Sequence, residues 1–265
     1  MKPIYFVLFL LLFMSCKINT DYGQPIIPVL KNLKDWKAYQ KEYVRWGTDY
    51  QALDVTQIPI SKKEFLEHLK TGNYIFVRLN SKKGTFYQLY KINENLKSSK
   101  DGYVDIATYI RNEAYTESDF LEEEGLPFQF INYKDLNGVV YDEKTLKNKT
   151  LVLNFWFIRC GACVKEMPEL NELVKKYKKQ KGVVFLALAF DEKTDLEKFL
   201  ETKTFLYNVI PVSNTYISDT LKLGTFPTSM VINKEKKIVK VTNSDLEGIE
   251  TALKKEIFVA KKNKK

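Results

Sequence analysis

Chemistry-bearing residues are scarce in this chain. Among 265 residues there is one histidine, His68, and there are three cysteines, Cys16, Cys160 and Cys163. A protein zinc site usually takes about four nitrogen, sulfur or oxygen ligands, often histidine and cysteine. His68 and one cysteine pair fall short of that, so no metal and no cofactor are expected. Long apolar runs are missing too: the charge-free segment Ile4 to Met14 is well below the roughly twenty residues a spanning helix needs. Nucleic-acid motifs are absent, although the formal net charge is +9. The lysines are dispersed among acids, as on a solvated surface, and only Lys261-Lys-Asn-Lys-Lys265 is a basic run. A nucleic-acid partner is therefore not expected. Disorder is excluded by 45% apolar and 14% aromatic residues. The length suits two small domains.

Lys2 followed by the apolar stretch to Met14 reads as a secretory signal. It closes in Leu12-Phe-Met-Ser-Cys16, which resembles the lipobox of bacterial lipoproteins. Ser15 and Cys16 match that pattern, whereas Phe13 and Met14 are bulkier than usual. Residues 1–16 are thus expected to be a lipoprotein-type signal peptide, with Cys16 the site of lipid attachment and the membrane reached through that anchor. A plain signal with a spare cysteine is the other reading. With Cys16 lipidated, Cys160 and Cys163 can pair only with each other or with a partner. Two cysteines separated by two residues form a tight ring, common in redox chemistry.

The pair stands at a change of pattern. Leu151 to Ile158 is an apolar run that reads as a buried strand, and from Cys163 to about Lys179 the spacing is helical. A strand therefore delivers the cysteines to a helix start, where free N–H groups and the helix dipole favour a thiolate. Upstream, residues 17–32 read as a tether. Leu33, Trp36, Tyr43 and Trp46 predict an amphipathic helix ending at Gly47. Ser61-Lys-Lys-Glu64 is a capping box that opens a second helix with Phe65, Leu66 and Leu69 inward and His68 exposed. Tyr74–Leu79 and Phe86–Ile92 read as a hairpin, 93–102 as a polar loop, and 103–115 as ambiguous between strand and helix. Residues 33–121 make a small α+β unit with no catalytic constellation. The acidic stretch Ser118 to Gly125 reads as a boundary.

Beyond it, Asp135-Leu-Asn-Gly138 predicts a hairpin between Phe128–Ile131 and Val139–Tyr141. Strands follow at Val183–Phe190, Tyr207–Val212, Thr228–Ile232 and Ile238–Val241, with helices at Thr194–Glu201, Ser218–Leu223 and from Ser244 or Asp245 onward. That order calls for an α/β mixed sheet with helices on both faces.

Three segments in chain order, the lead-in Gly125-Leu-Pro-Phe128 to Lys149, Leu153-Asn-Phe-Trp156 through Cys160-Gly-Ala-Cys163 to Glu166-Met-Pro-Glu-Leu170, and Gly224-Thr-Phe-Pro227-Thr-Ser-Met-Val-Ile-Asn233, resemble the TlpA-like and ResA-like thiol-disulfide oxidoreductases. The resemblance covers 122–265. It implies a thioredoxin fold there, with Cys160 as exposed nucleophile, Cys163 as the buried resolving thiol and Pro227 in cis. It implies that Phe226 and Pro227, with Trp156 and Arg159, form the substrate-binding side. Where classical thioredoxins carry a buried aspartate this chain has Asn154, which moves the acid–base role to Glu166. Arg159 stands where tryptophan is frequent, and Gly161-Ala162 where Gly-Pro is. The implied partners are protein disulfides or dithiols and a membrane or periplasmic electron donor, at the periplasm-facing envelope of a bacterium. The leading function is reduction of envelope-protein disulfides. The alternatives are a non-catalytic binding module and a thiol peroxidase, whose threonine three residues before the cysteine is missing: Phe157 precedes Cys160 at that spacing.

Overall fold

The computed structural model describes residues 32–92 and 103–262. The expected signal peptide, tether and Cys16, the polar loop 93–102 and the end of the basic tail lie outside the described residues. Two mixed sheets dominate. The first has the order β2-β1-β4-β3, from β1 (Tyr50–Leu53), β2 (Pro59–Ile60), β3 (Tyr74–Leu79) and β4 (Thr85–Lys91). The second has the order β11-β10-β7-β8-β9, from β7 (Thr150–Trp156), β8 (Val183–Ala189), β9 (Asn208–Pro211), β10 (Thr228–Ile232) and β11 (Ile238–Thr242). Strands β7, β8 and β9 are parallel and β10 and β11 antiparallel to their neighbours, which is a thioredoxin-fold sheet. A two-residue hairpin, β5 (Tyr133–Lys134) and β6 (Val140–Tyr141), precedes it.

The second sheet is covered on both faces, so β7 is buried along its whole length. Alternation along β7 divides its side chains. Leu151, Leu153 and Phe155 pack with Leu186, Leu188, Met230 and Tyr216. Val152 and Trp156 pack on the opposite face with Cys163, Met167, Leu170, Ile249 and Leu253. That face is covered by the helix after the cysteines, α4 (Gly161–Tyr177), by α5 (Lys193–Leu200) and by the last helix, α6 (Leu246–Lys262). Asn154, between Val152 and Trp156, is thereby aimed at α4.

The first sheet packs against α1 (Leu33–Tyr43), α2 (Lys62–Lys70) and α3 (Tyr103–Glu123) around Trp36, Trp46, Phe65, Phe76 and Tyr87. Ser61 caps α2, accepting from the Glu64 N–H at 3.1 Å. Helix α1 ends at Tyr43, earlier than the expected Gly47: Val44 is extended, and the Tyr87 hydroxyl takes the Arg45 N–H at 2.7 Å. Trp46 is buried from the following turn instead. His68, expected to be exposed, is half-buried with its ring 5.0 Å from that of Tyr74. The ambiguous 103–115 segment is helical and continues through the expected 121/122 boundary to Glu123. The hairpin before β7 begins at Tyr133 rather than Phe128, because Asp135 Oδ1 accepts from the N–H groups of Asn137 and Val139 and sets the turn there. Gly138 provides its positive φ of 85°.

The two units are in close contact. The Asp245 carboxylate, at the start of α6, accepts from the Gly47 N–H at 2.7 Å and the Gly248 N–H at 3.1 Å. Gly47 and Gly248 approach so nearly that a Cβ on Gly248 would lie 2.6 Å from the Gly47 Cα. The ion pair Arg45–Glu247 crosses the same boundary, and Lys240–Glu124 ties the residue after α3 to β11.

Candidate redox site

Strand β7 stops at Trp156, and a short turn leads to the cysteines. Two hydrogen bonds hold the turn: the Cys160 N–H donates to the Phe157 carbonyl at 3.0 Å, and the Ile158 N–H donates to Asp191 Oδ2 at 2.9 Å. Cys160 is the N-cap of α4, its Sγ accepting from the Cys163 N–H at 3.2 Å. The two cysteines are joined as a disulfide, with Cα atoms 5.2 Å apart. Cys160 is the more accessible sulfur residue, at 7% exposure against 1% for Cys163. Arg159, just before it, is exposed. Helix α4 continues through Pro168 to Tyr177.

One turn beyond Cys163, Glu166 lies half-buried on the same side of the helix. Its Oε1 accepts from Asn154 Nδ2 at 3.0 Å, and the same amide donates to Ser229 Oγ at 3.1 Å. Asn154 and Ser229 are register partners on β7 and β10. Burial pushes the Glu166 carboxyl up to about 7; hydrogen bonds from Asn154 and Ser244 act in the opposite direction. The group can therefore take or release a proton near neutrality, three residues from Cys163.

The third component is the loop before β10. The Phe226–Pro227 peptide bond is cis. Pro227 is buried and its carbonyl accepts from Asn243 Nδ2 at 2.7 Å, while Thr228 Oγ1 donates to the Thr225 carbonyl at 2.6 Å. The Phe226 ring meets Phe157 edge-on at 5.4 Å and lies 5.7 Å from Phe190. Among the described residues, the Phe226 backbone has no backbone hydrogen-bond partner.

Trp156 does not belong to the substrate-binding side. It is fully buried, packed on Phe199 at 5.7 Å and Phe205 at 5.6 Å, because the alternation of β7 turns it inward. Three contributors escaped the sequence reading. Asp191 follows β8 and pins the turn before Cys160, Asn243 follows β11 and holds the Pro227 carbonyl, and Ser229 completes the Asn154 pair. Only Ser229 left a trace, as a polar residue within an apolar strand.

The Redoxin family model matches residues 130–255. The chain is 39% identical to the thiol-disulfide oxidoreductase ResA of Bacillus cereus over 120 residues, 43% of this chain and 69% of that protein. The chain belongs to the ResA family of thiol-disulfide oxidoreductases. A ResA from Geobacillus thermodenitrificans is 33% identical over 40% of this chain and 62% of its own length. Among solved structures, the thioredoxin domain of a thiol-disulfide oxidoreductase from Bacteroides vulgatus is similar at a TM-score of 0.43 and 25% identity, covering 50% of this chain and 96% of that one. By its ResA relatives, the protein is a protein-disulfide oxidoreductase, with Cys160 and Cys163 as its dithiol pair.

Proposed function

We propose that the chain reduces disulfides of extracytoplasmic proteins, with Cys160 attacking and Cys163 resolving. In the reduced form the Cys160 thiolate displaces one sulfur of the partner's disulfide. This forms a mixed disulfide and releases a partner thiolate, which takes up a proton. Cys163 then loses its proton to the Glu166 carboxylate and attacks Cys160 Sγ. The partner's second thiolate leaves, and the Cys160–Cys163 disulfide forms. Two protein thiols have been oxidised and one partner disulfide reduced; a dithiol donor must restore the pair. The observation that carries this reading is the position of Cys160 at the N-terminus of α4, outward of Cys163. Arg159 adds positive charge beside the attacking sulfur, and the cis loop offers the free Phe226 backbone to an extended partner segment.

The same reading places the protein in the bacterial envelope, held by lipid on Cys16. Its support is the apolar segment ending in Ser15-Cys16. Loss of membrane association in Cys16→Ala would accord with the anchor, whereas unchanged association would remove it.

Trapping tests the exchange. Cys163→Ser should accumulate mixed disulfides at Cys160 that a reductant releases, identified by mass spectrometry. A variant that traps nothing in its native envelope, or traps through another residue, would overturn the assignment of roles.

A further inference from the structure

Helices α1 and α3 do not merely lie behind the thioredoxin-fold sheet. Between them and α4 is an open cleft of about 970 Å³. Its redox-side wall includes Ala162, from between the two cysteines, Glu166, and Thr225 from the cis-proline loop. The facing wall carries Lys37 and Lys41 of α1 and Glu113 of α3. A polypeptide that presents its disulfide to Cys160 and continues past Thr225 and Ala162 enters the cleft, which begins there. The three rings of Phe157, Phe190 and Phe226 do not line it. The aromatic surface and the cleft are therefore separate approaches to one dithiol.

The acids of the cleft are mostly half-buried or paired, whereas its lysines are exposed. Glu113 accepts from Gln40 Nε2 at 2.7 Å and 2.8 Å. Glu247 is paired with Arg45, and Asp245 is occupied by two backbone N–H groups. Burial pushes the Glu117 carboxyl up to about 8, which leaves it largely uncharged at neutral pH. Glu169 is an exposed acid of the lining. Against it stand Lys37 and Lys41 on one wall and Lys165 on the other, all exposed. None of the three forms an ion pair among the described residues. Glu113 and Asp245 keep their charge but are half-buried, so the exposed, unpaired charges at the mouth are three lysines, drawn from both units, against Glu169.

We propose that this cleft receives the polypeptide flanking the exchanging cysteine of a partner protein, and that Lys37, Lys41 and Lys165 select a flank rich in aspartate and glutamate. The N-terminal unit is then a specificity wall of the redox site. The inference rests on Cys160 and Cys163 being the exchanging pair.

The test is single-turnover exchange between the reduced full chain and four disulfides. Three are peptides with the same internal disulfide and acidic, neutral or basic flanks; the fourth, bis(2-hydroxyethyl) disulfide, has no flank. At low salt the acidic peptide should react about tenfold faster than the neutral one, and the difference should shrink as salt is added. Lys37→Glu/Lys41→Glu should abolish or reverse the preference, and Lys165→Glu should weaken it. The Lys37→Glu/Lys41→Glu variant should keep the wild-type rate with bis(2-hydroxyethyl) disulfide. A rate indifferent to flank charge, or a preference that survives the double variant, would overturn the proposal alone. No exchange even with the small disulfide would overturn the dithiol reading and this proposal with it.

Discussion

In the N-terminal unit, two buried tyrosine hydroxyls end on the backbone. The Tyr39 hydroxyl accepts from the Arg78 N–H at 2.7 Å, and the Tyr87 hydroxyl accepts from the Arg45 N–H at 2.7 Å and donates to the Tyr43 carbonyl at 3.2 Å. In the thioredoxin-fold unit, the polar side chains behind the disulfide bond to one another: Ser229 to Asn154, and Asn154 to Glu166. The first arrangement fixes a chain trace and ends there, since neither hydroxyl titrates near neutrality: burial pushes Tyr39 up to about 12 and raises Tyr87 further. The second ends on a carboxyl that titrates at about 7 beside a reactive sulfur. Buried polarity marks chemistry when its bonds lead to a group that changes charge, and marks scaffolding when they lead to amides.

The largest expected effect is on the scaffold. Trp36→Ala removes a fully buried ring that meets Phe76 edge-on at 5.2 Å, and should destabilise the chain by about 3–5 kcal/mol. Denaturant unfolding gives that value. The exchange rate of the remaining folded protein with a small disulfide should be unchanged; a matching fall in rate would break the division between the two cores.

Glu166→Gln addresses the other side. The exchange rate should fall by about 10²-fold and lose its pH dependence around 7. Stability gives a second reading. The folded carboxyl holds its proton to about pH 7, whereas an unfolded one releases it near its model value of 4.5. Between those values the unfolded state binds fewer protons, so this group's contribution to stability falls as pH rises through the window and is level above it. The glutamine variant should lack that fall in thermal unfolding scans between pH 4 and pH 8.

At the seam between the units, Gly248→Ala places a methyl group against the Gly47 backbone and should cost about 1–3 kcal/mol. Its unfolding midpoint, compared with wild type, measures how firmly the units are joined. Smallest of all, Glu247→Gln breaks the largely exposed pair with Arg45 and should shift stability by less than about 1 kcal/mol in a denaturant titration.

Much of the redox half is legible in sequence because its signals are local. The apolar run into Cys160, the Cys-x-x-Cys spacing and the apolar strands Thr228–Ile232 and Ile238–Thr242 each act over a few residues. Asn154 and Glu166 could be suspected of sharing a role, but their hydrogen bond depends on how α4 crosses β7. Asp191 and Asn243 were silent because each acts on a backbone atom many residues away. The N-terminal half was less readable. Strands β1 and β2 are short, and β1 pairs in parallel with a strand far along the chain. Trp46 kept the apparent helical rhythm of Trp36 after the helix had ended, since a turn can deliver a side chain to the same core.

Helix α3 bears on how such proteins could be recombined. Ile106, Ile110 and Ala114 belong to the core of the first sheet, while Phe120 belongs to that of the second. A cut at the composition change near residue 122 would leave the second sheet without an aromatic ring that belongs to its packing. Exchange of N-terminal units between relatives would have to carry the last turns of this helix together with the β11 surface on which they rest. Helix α3 is thus common to both cores: an edge before Tyr103 takes Ile106, Ile110 and Ala114 from the first, an edge after Glu123 takes Phe120 from the second, and the module inherited intact is the two units together.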